Sequence, residues 1–181
     1  MIRKAAELDI PAIAEIYEDI HTGEETGRTT IGWIRGVYPT AETARQSLRR
    51  GDLFVEEEDG VIVGAAIINQ QQVDVYKDGK WNHDAPDENV MVLHTLAISP
   101  KVARKGYGKR FVHFYEDYAL ANNCPYLRMD TNRTNTQARA MYRKLGYQEI
   151  GIVPCAFNGI EGVNLVLLEK DCLRKLKEGN R

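Results

Sequence analysis

"VMVLHTLAISPKVARKGYGKRFVHFYEDYA", residues 90–119, decides how the chain folds. Its first nine residues are mostly apolar on both faces, the pattern of a strand buried in the middle of a sheet. From Tyr107 onward the period changes. Phe111, Phe114, Tyr115 and Tyr118 recur at the three- and four-residue spacing of an amphipathic helix over 107–121. Between strand and helix lie Gly106 and Gly108, with Lys101, Arg104, Lys105, Lys109 and Arg110 around them. A glycine loop opening a helix aims the unpaired N–H groups of the first turn, and the positive end of the helix dipole, at one point. Such a device holds a phosphate. The stretch lacks the G-x-x-x-x-G-K-[ST] order of a nucleotide P-loop. It also lacks the G-x-G-x-x-G fingerprint of a dinucleotide-binding unit.

Working outward, "PYLRMDT" reads as a neighbouring strand and "NTQARAMYRKL" as a helix. In that helix Ala138, Met141, Tyr142 and Leu145 fall at i, i+3, i+4 and i+7, and Gly146 stops it. "YQEIGIV" and "GVNLVLLEK" are closing strands, with a short basic helix after them. Upstream, "DLFVEEEDGVIVGAAIIN" is a hairpin turning at Asp59-Gly60. "MIRKAA" reads as a short edge strand. Ile10, Ile13, Ala14 and Tyr17 begin a helix with Asp9 as cap and Pro11 in the first turn. "AETARQSLRR" is a second helix ending near Gly51. Residues 21–40 are turn-rich yet carry Trp33 and Tyr38, which marks a loop with a function; "DGKWNHDAPDEN" reads as a polar turn. No repeat, low-complexity tract or linker interrupts this order. The expectation is one α/β domain over 1–181 with a mixed sheet.

A chain of 181 residues with 43% apolar and 28% charged residues is ordinary for a globular protein. Cys124, Cys155 and Cys172 are scattered and odd in number, so they form neither a disulfide framework nor a metal pattern, and read as reduced structural thiols. The N-terminus has no unbroken apolar run and no segment reaches the length of a membrane span, which predicts a cytoplasmic protein without a membrane partner. The net charge of -2 hides an asymmetry. Residues 1–98 hold 9 Lys and Arg against 18 Asp and Glu, whereas 99–181 hold 15 against 8. The basic half lacks interleaved aromatics, so nucleic acid is not the expected partner.

Two stretches together resemble a known family. "LAISPKVARKGYGKRFV" is similar to the coenzyme A pyrophosphate loop of the GCN5-related N-acetyltransferases, the GNAT family. "NTQARAMYRKLGY" resembles its second signature, N-x-x-A-x-x-x-Y-x-x-x-G-[FY], through Asn135, Ala138, Tyr142, Gly146 and Tyr147. The resemblance implies a mixed, mostly antiparallel sheet of six to seven strands flanked by helices, with a splayed parallel central pair. It places the acceptor side mainly in 1–98 and the acetyl-CoA side mainly in 99–181. It further implies that main-chain groups of Leu96, Ala97 and Ile98 pair with the pantetheine arm. Backbone N–H groups across Arg104, Lys105, Gly106, Tyr107, Gly108 and Lys109 would hold the pyrophosphate, and Asn135 would bond the cofactor. Ala103 departs from the family, which usually carries Gln or Arg three places before the first glycine; Arg104 and Lys105 then supply the charge.

Acetyl transfer to an amine needs a proton taken from the amine and a proton given to the leaving thiolate, with both substrates held in one cleft and no metal. The resemblance makes Tyr142 the acid. For the base, Asp130 at the end of its strand and His94 on the central strand both stand open, with Glu24 and Glu25 as lesser candidates. Trp33 and Tyr38 look like a lid over the acceptor. Glu18, Asp19, Glu24 and Glu25 lie on the acceptor side, and if they rim the cleft they would favour a small cationic amine. The competing readings are a non-catalytic acyl-CoA sensor, a protein N-terminal acetyltransferase and a nucleotide-phosphate hydrolase. A homodimer stays open as an assembly.

Overall fold

In the computed structural model residues 1–102 and 104–173 are described; Ala103 and the basic segment 174–181 lie outside the described residues. Seven strands form one sheet in the order β1-β2-β3-β4-β5-β7-β6. They are β1 (Ile2–Lys4), β2 (Leu53–Glu58), β3 (Val61–Asn69), β4 (Val90–Ile98), β5 (Tyr126–Asn132), β6 (Gln148–Phe157) and β7 (Ile160–Asp171). Every neighbouring pair is antiparallel except β4 and β5. The helices are α1 (Ile10–Glu25), α2 (Ala41–Arg50), α3 (Tyr107–Ala121) and α4 (Thr136–Lys144).

The parallel pair decides the shape. β4 and β5 stay in register from Val90–Tyr126 to Leu93–Met129, and no pairing follows. Beyond Leu93 the two strands part, so the edge of β4 from His94 to Ile98 is left without its β5 partner. On the other side, β4 slips against β3 between the Ala97–Ala65 and His94–Ile67 pairs. Thr95 sits in that bulge with φ +50°, a conformation a β-branched residue rarely holds. Gly64 permits the close approach, because a Cβ there would meet the Ile98 Cδ1 at 2.6 Å and the Ala97 carbonyl oxygen at 3.1 Å.

Helix α3 seals one face of the parting strands. Phe111, Val112, Tyr115 and Ala119 are fully buried, whereas Phe114 and Tyr118 are half-buried and stack on each other beside Phe54. The Tyr115 hydroxyl donates to the carbonyls of Met91 (2.6 Å) and Arg128 (3.1 Å), one on each strand of the parallel pair. Helix α1 covers the opposite face with Ile13, Ile16, Tyr17 and Ile20. It runs further than its sequence promises. The turn-rich start of 21–40 continues the helix to Glu25, because His21 is buried with its Nε2 bonded to the Pro39 carbonyl and Gly23 packs against Thr29. Asp9 precedes the helix but does not cap it through its side chain; its carboxylate instead accepts from Arg3 and from the Ala6 N–H.

Candidate active site

The wedge between β4 and β5 opens into a cavity of about 760 Å³. One end is built from the quoted stretch. Gly106, at φ +83°, precedes α3 without a side-chain cap, and Arg104 beside it also takes a positive φ of +68°. The first helical bond is that of Arg110 N to the Gly106 carbonyl, so the N–H groups of Tyr107, Gly108 and Lys109 lack intrahelical acceptors. A Cβ on Gly108 would come no closer than 3.5 Å to its neighbours Met141 and Ile98. Arg104, Gly106, Tyr107, Gly108 and Lys109 all line the cavity. Lys105 is exposed and outside the lining.

The five loop cations divide. Lys101 is held by Glu15 (2.6 Å) and Asp19 (3.0 Å) of α1. Arg110 is held by the buried Glu56 and by Glu58 of β2, and its guanidinium lies over the Tyr107 ring. These two fasten the loop and α3 to the body of the protein. Arg104 and Lys109 remain at the cavity.

The wall between the ends is the unpaired edge of β4. Leu96 and Ile98 line the cavity while Ala97 is buried behind them, paired with Ala65. Asn135 accepts from the Ala138 N–H through Oδ1 (3.2 Å), capping α4, which leaves its NH2 group for a ligand. Tyr142 reaches the same cavity from α4; among the described residues its hydroxyl has no hydrogen-bond partner.

Asp130 and His94 face the same space from the two strands. Burial pushes the Asp130 carboxyl up to about 6, against a lowering pull from the Tyr76 hydroxyl, which donates to Oδ2 at 2.8 Å. Tyr76 is the only hydrogen-bond partner of the Asp130 carboxylate among the described residues, so Oδ1 is the oxygen left to a ligand. The groups around this carboxylate are Tyr76, Tyr38, Tyr142 and Cys155, none of them a cation. Burial also holds the Tyr142 phenol well above the ordinary tyrosine range, and the charge of Asp130 adds to it. His94 is moved the other way, down to about 4 by burial. Its Nε2 lies 3.0 Å from Asn69 Oδ1, while the Asn69 NH2 donates to Asp52. The imidazole therefore carries its proton on Nε2 and is neutral near pH 7.

A loop and a hairpin close the far end. Trp33 packs edge-on against both Tyr17 and Tyr38, and the Tyr38 hydroxyl bonds the hydroxyl of Thr95 in the bulge. Thr30 and Thr134 exchange two hydrogen bonds, each hydroxyl to the other's carbonyl at 2.9 Å, tying this loop to the β5–α4 turn. Gly32 sits directly on Asn132, where a Cβ would come within 2.3 Å of its amide nitrogen. At the tip of the β6–β7 hairpin, a Cβ on Gly159 would come within 3.3 Å of Val37. Glu24 and Glu25 lie outside the lining. Glu24 accepts from the N–H groups of Ile31 and Gly32 and from the Thr29 hydroxyl, and Glu25 pairs with Arg35.

Sequence reasoning passed over Tyr76, which lies in the unassigned stretch between the hairpin and the segment read as polar turn, and gave no signal for Thr95. It also missed the hairpin residues Phe157, Ile160, Val163 and Leu165 that line the far end. Only their alternation as strand residues is visible in the sequence.

A wedge between parallel strands, a helix start with unpaired N–H groups at one end and a carboxylate–phenol pair in the middle make up one cavity. The chain belongs to the acetyltransferase (GNAT) family, whose model matches residues 11–147. It is similar to an acetyltransferase of the GNAT family from Streptococcus agalactiae, with 27% identity, 94% of each chain covered and a TM-score of 0.79. YncA from Salmonella typhimurium, solved with its cofactor acetyl-CoA, shares the fold at 15% identity and a TM-score of 0.68, over 95% of this chain and 93% of that one. The uncharacterised N-acetyltransferase YhfO of Bacillus subtilis is 32% identical over 62 residues, which span 34% of this chain and 42% of that relative. Among the described residues, no helix is long and apolar enough to cross a membrane.

Proposed function

We propose that this protein transfers the acetyl group of acetyl-CoA to a small primary amine, with both substrates bound at once. One observation carries the reading: a single cavity joins an anion-binding helix start to a carboxylate and a phenol whose environments suit them to opposite proton transfers. Acetyl-CoA supplies the acyl group as a thioester that an amine can attack directly. The residues present fit it. Unpaired N–H groups of α3, with Arg104 and Lys109, would take the pyrophosphate, and the free edge of β4 would take the pantetheine amides as an added strand.

An aliphatic amine has a pKa near about 10.4, so its proton must be removed. Asp130, ionised above about pH 6, accepts it through Oδ1. Tyr142 stays a neutral phenol and gives its proton to the departing sulfur. Tyr76 orients the base. The Thr30–Thr134 bridge ties the 21–40 loop to the β5–α4 turn and Val37 lies close to Gly159 of the hairpin, an enclosure of the far end that favours a small acceptor over a protein N-terminus. The acceptor side then comprises most of 1–98 together with the β6–β7 hairpin, and the acetyl-CoA side comprises β4, α3 and α4 within a single 181-residue domain.

The preference for a cationic acceptor expected from the acidic half has no carrier in the cavity wall. Glu18 and Glu25 pair with Arg35, Asp19 with Lys101, and Glu24 binds its own loop.

Calorimetric titration tests the first half of the reading. Reversing Arg104 and Lys109 to Glu should weaken acetyl-CoA binding at least tenfold and flatten its salt dependence, because these are charges on phosphate. Reversing the exposed Lys80 and Lys144 should leave it within about twofold. Equal losses would move the phosphates away from α3. Thiol release measured with and without amines tests the second half, since a sensor would bind acetyl-CoA without amine-dependent turnover.

Tyr76→Phe tests the base from a distance. Loss of the donor that lowers the Asp130 pKa should carry the acidic limb of kcat/KM upward by about half a unit to one unit. The fold should persist, because the ring still fills its buried site against Trp81. A limb that does not move would reduce Tyr76 to a packing residue.

A further inference from the structure

Resting on the acetyl-transfer reading, we propose that the acceptor is a monoamine with an aromatic or branched aliphatic body and no carboxylate beside the amine. The far end of the cavity sets this class. Tyr38, Val73, Phe157, Ile160, Val163 and Leu165 line it and belong to one apolar cluster. Trp33 adds its ring edge from the facing loop. Asp130 is the only carboxylate among the lining residues. Among the described residues the lining cation at this end is Arg28, which is exposed and whose Nε donates to the Thr26 hydroxyl.

Each acceptor class meets these groups differently. A single ammonium pairs with Asp130, and the remaining body exchanges water for aromatic and aliphatic side chains, which is favourable. A polyamine would bring a second ammonium into that wall with no counter-charge, or push it toward Arg28. An α-amino acid would hold its carboxylate one carbon from the amine and therefore close to Asp130, where like charges repel. An acid at the distal end of a longer chain escapes that repulsion and would reach Arg28. It must still thread an anion past the apolar wall.

The test is steady-state thiol release from acetyl-CoA by the intact protein at mildly alkaline pH. The acceptors are phenethylamine, isoamylamine, spermidine, phenylalanine and aminohexanoate, each set against an amine-free control. The first two should exceed the other three in kcat/KM by about 100-fold or more, because a charge left unpaired in an apolar wall is costly. If spermidine, phenylalanine or aminohexanoate is the best acceptor, the proposal is overturned while acetyl transfer stands. If no amine raises release above the control, acetyl transfer itself falls and takes the proposal with it. Phe157→Asp supplies an independent arm by placing a second carboxylate in the wall. It should shift the spermidine-to-phenethylamine ratio toward spermidine by about tenfold, and an unchanged ratio would overturn the assignment of this wall to the acceptor.

Discussion

Asp130→Asn is expected to cost two to four decades in kcat/KM, about the full range of general base catalysis, while making the folded protein more stable at neutral pH. Both effects have one cause. Asp130 is ionised at pH 7 in a site where burial holds its pKa near 6, about two units above an ordinary aspartate. The role proposed for that carboxylate draws on the same burial that makes its charge costly. The sign follows by linkage. A carboxyl whose folded pKa is raised contributes stability below its unfolded value of about 3.8, and that contribution is lost as pH rises through about 6. Above pH 6 the wild-type protein therefore carries a penalty of at most about 3 kcal/mol that asparagine removes. Asparagine keeps an oxygen for the Tyr76 hydroxyl, so the neighbourhood survives. Thermal melts should show the variant gaining on wild type between pH 4 and 6 and holding the gain above. Parallel thiol-release assays should show activity gone. An active variant with the acidic limb intact would hand the base to His94, and that limb would then lie near 4, where burial has put the imidazole.

How much of this was legible in the sequence depends on the range over which each signal acts. The β4–loop–α3 unit was readable to the residue because strand pattern, glycine conformation and helix period are all local, and the expected bounds 90–98 and 107–121 match the structure. The hairpin turning at Asp59-Gly60 and α2 with its Gly51 stop were readable for the same reason. The splayed parallel pair came from resemblance. No residue of β4 announces that its pairing with β5 ends at Leu93. Tyr76 was invisible because its hydrogen bond to Asp130 spans 54 residues. It lies in a segment whose polar sequence hides how it is anchored. Arg128, buried on β5, bonds Gln72 and the His83 carbonyl, stacks on Trp81 and neighbours the buried Glu169. A buried arginine is costly unless its donors are used. Here the two terminal nitrogens pin both ends of the connection that carries Tyr76 to Asp130, while Nε has no hydrogen-bond partner among the described residues.

Charge was the least reliable guide, and the reason is geometric. A count of acids along the chain says nothing about which cations face them. Part of the asymmetry between the two halves is used where they meet: Lys101 pairs with Glu15 and Asp19, and Arg110 with Glu56 and Glu58. Glu56 is wholly buried, and burial raises its pKa against the pull of Arg110. What these four acids support is the seating of α3 and its loop, and with it the position of the helix start proposed to hold the phosphates.

Tyr142→Phe should lower kcat by one to three decades, roughly, with acetyl-CoA affinity changed less than about twofold. The ring is buried at the back of the cavity and packs edge-on against Tyr147, so phenylalanine keeps the packing and removes only the hydroxyl. That hydroxyl holds no partner among the described residues, so its removal orphans nothing and should leave the melting temperature near wild type. Its pKa is raised by burial and then by the charge of Asp130. Burial therefore keeps the phenol protonated, and the charge of Asp130 adds to that. A consequence separates the two residues experimentally. Without the phenol, the leaving thiolate must depart unprotonated, so the loss should shrink when the acyl donor carries a thiol of lower pKa. Asp130→Asn should show no such rescue, because its deficit lies in the amine. Rescue of Tyr142→Phe by an activated thioester would identify the step at which this hydroxyl acts. Turnover that stays at the wild-type level with acetyl-CoA would instead make Tyr142 part of the apolar core that α4 brings to β5, with water protonating the sulfur.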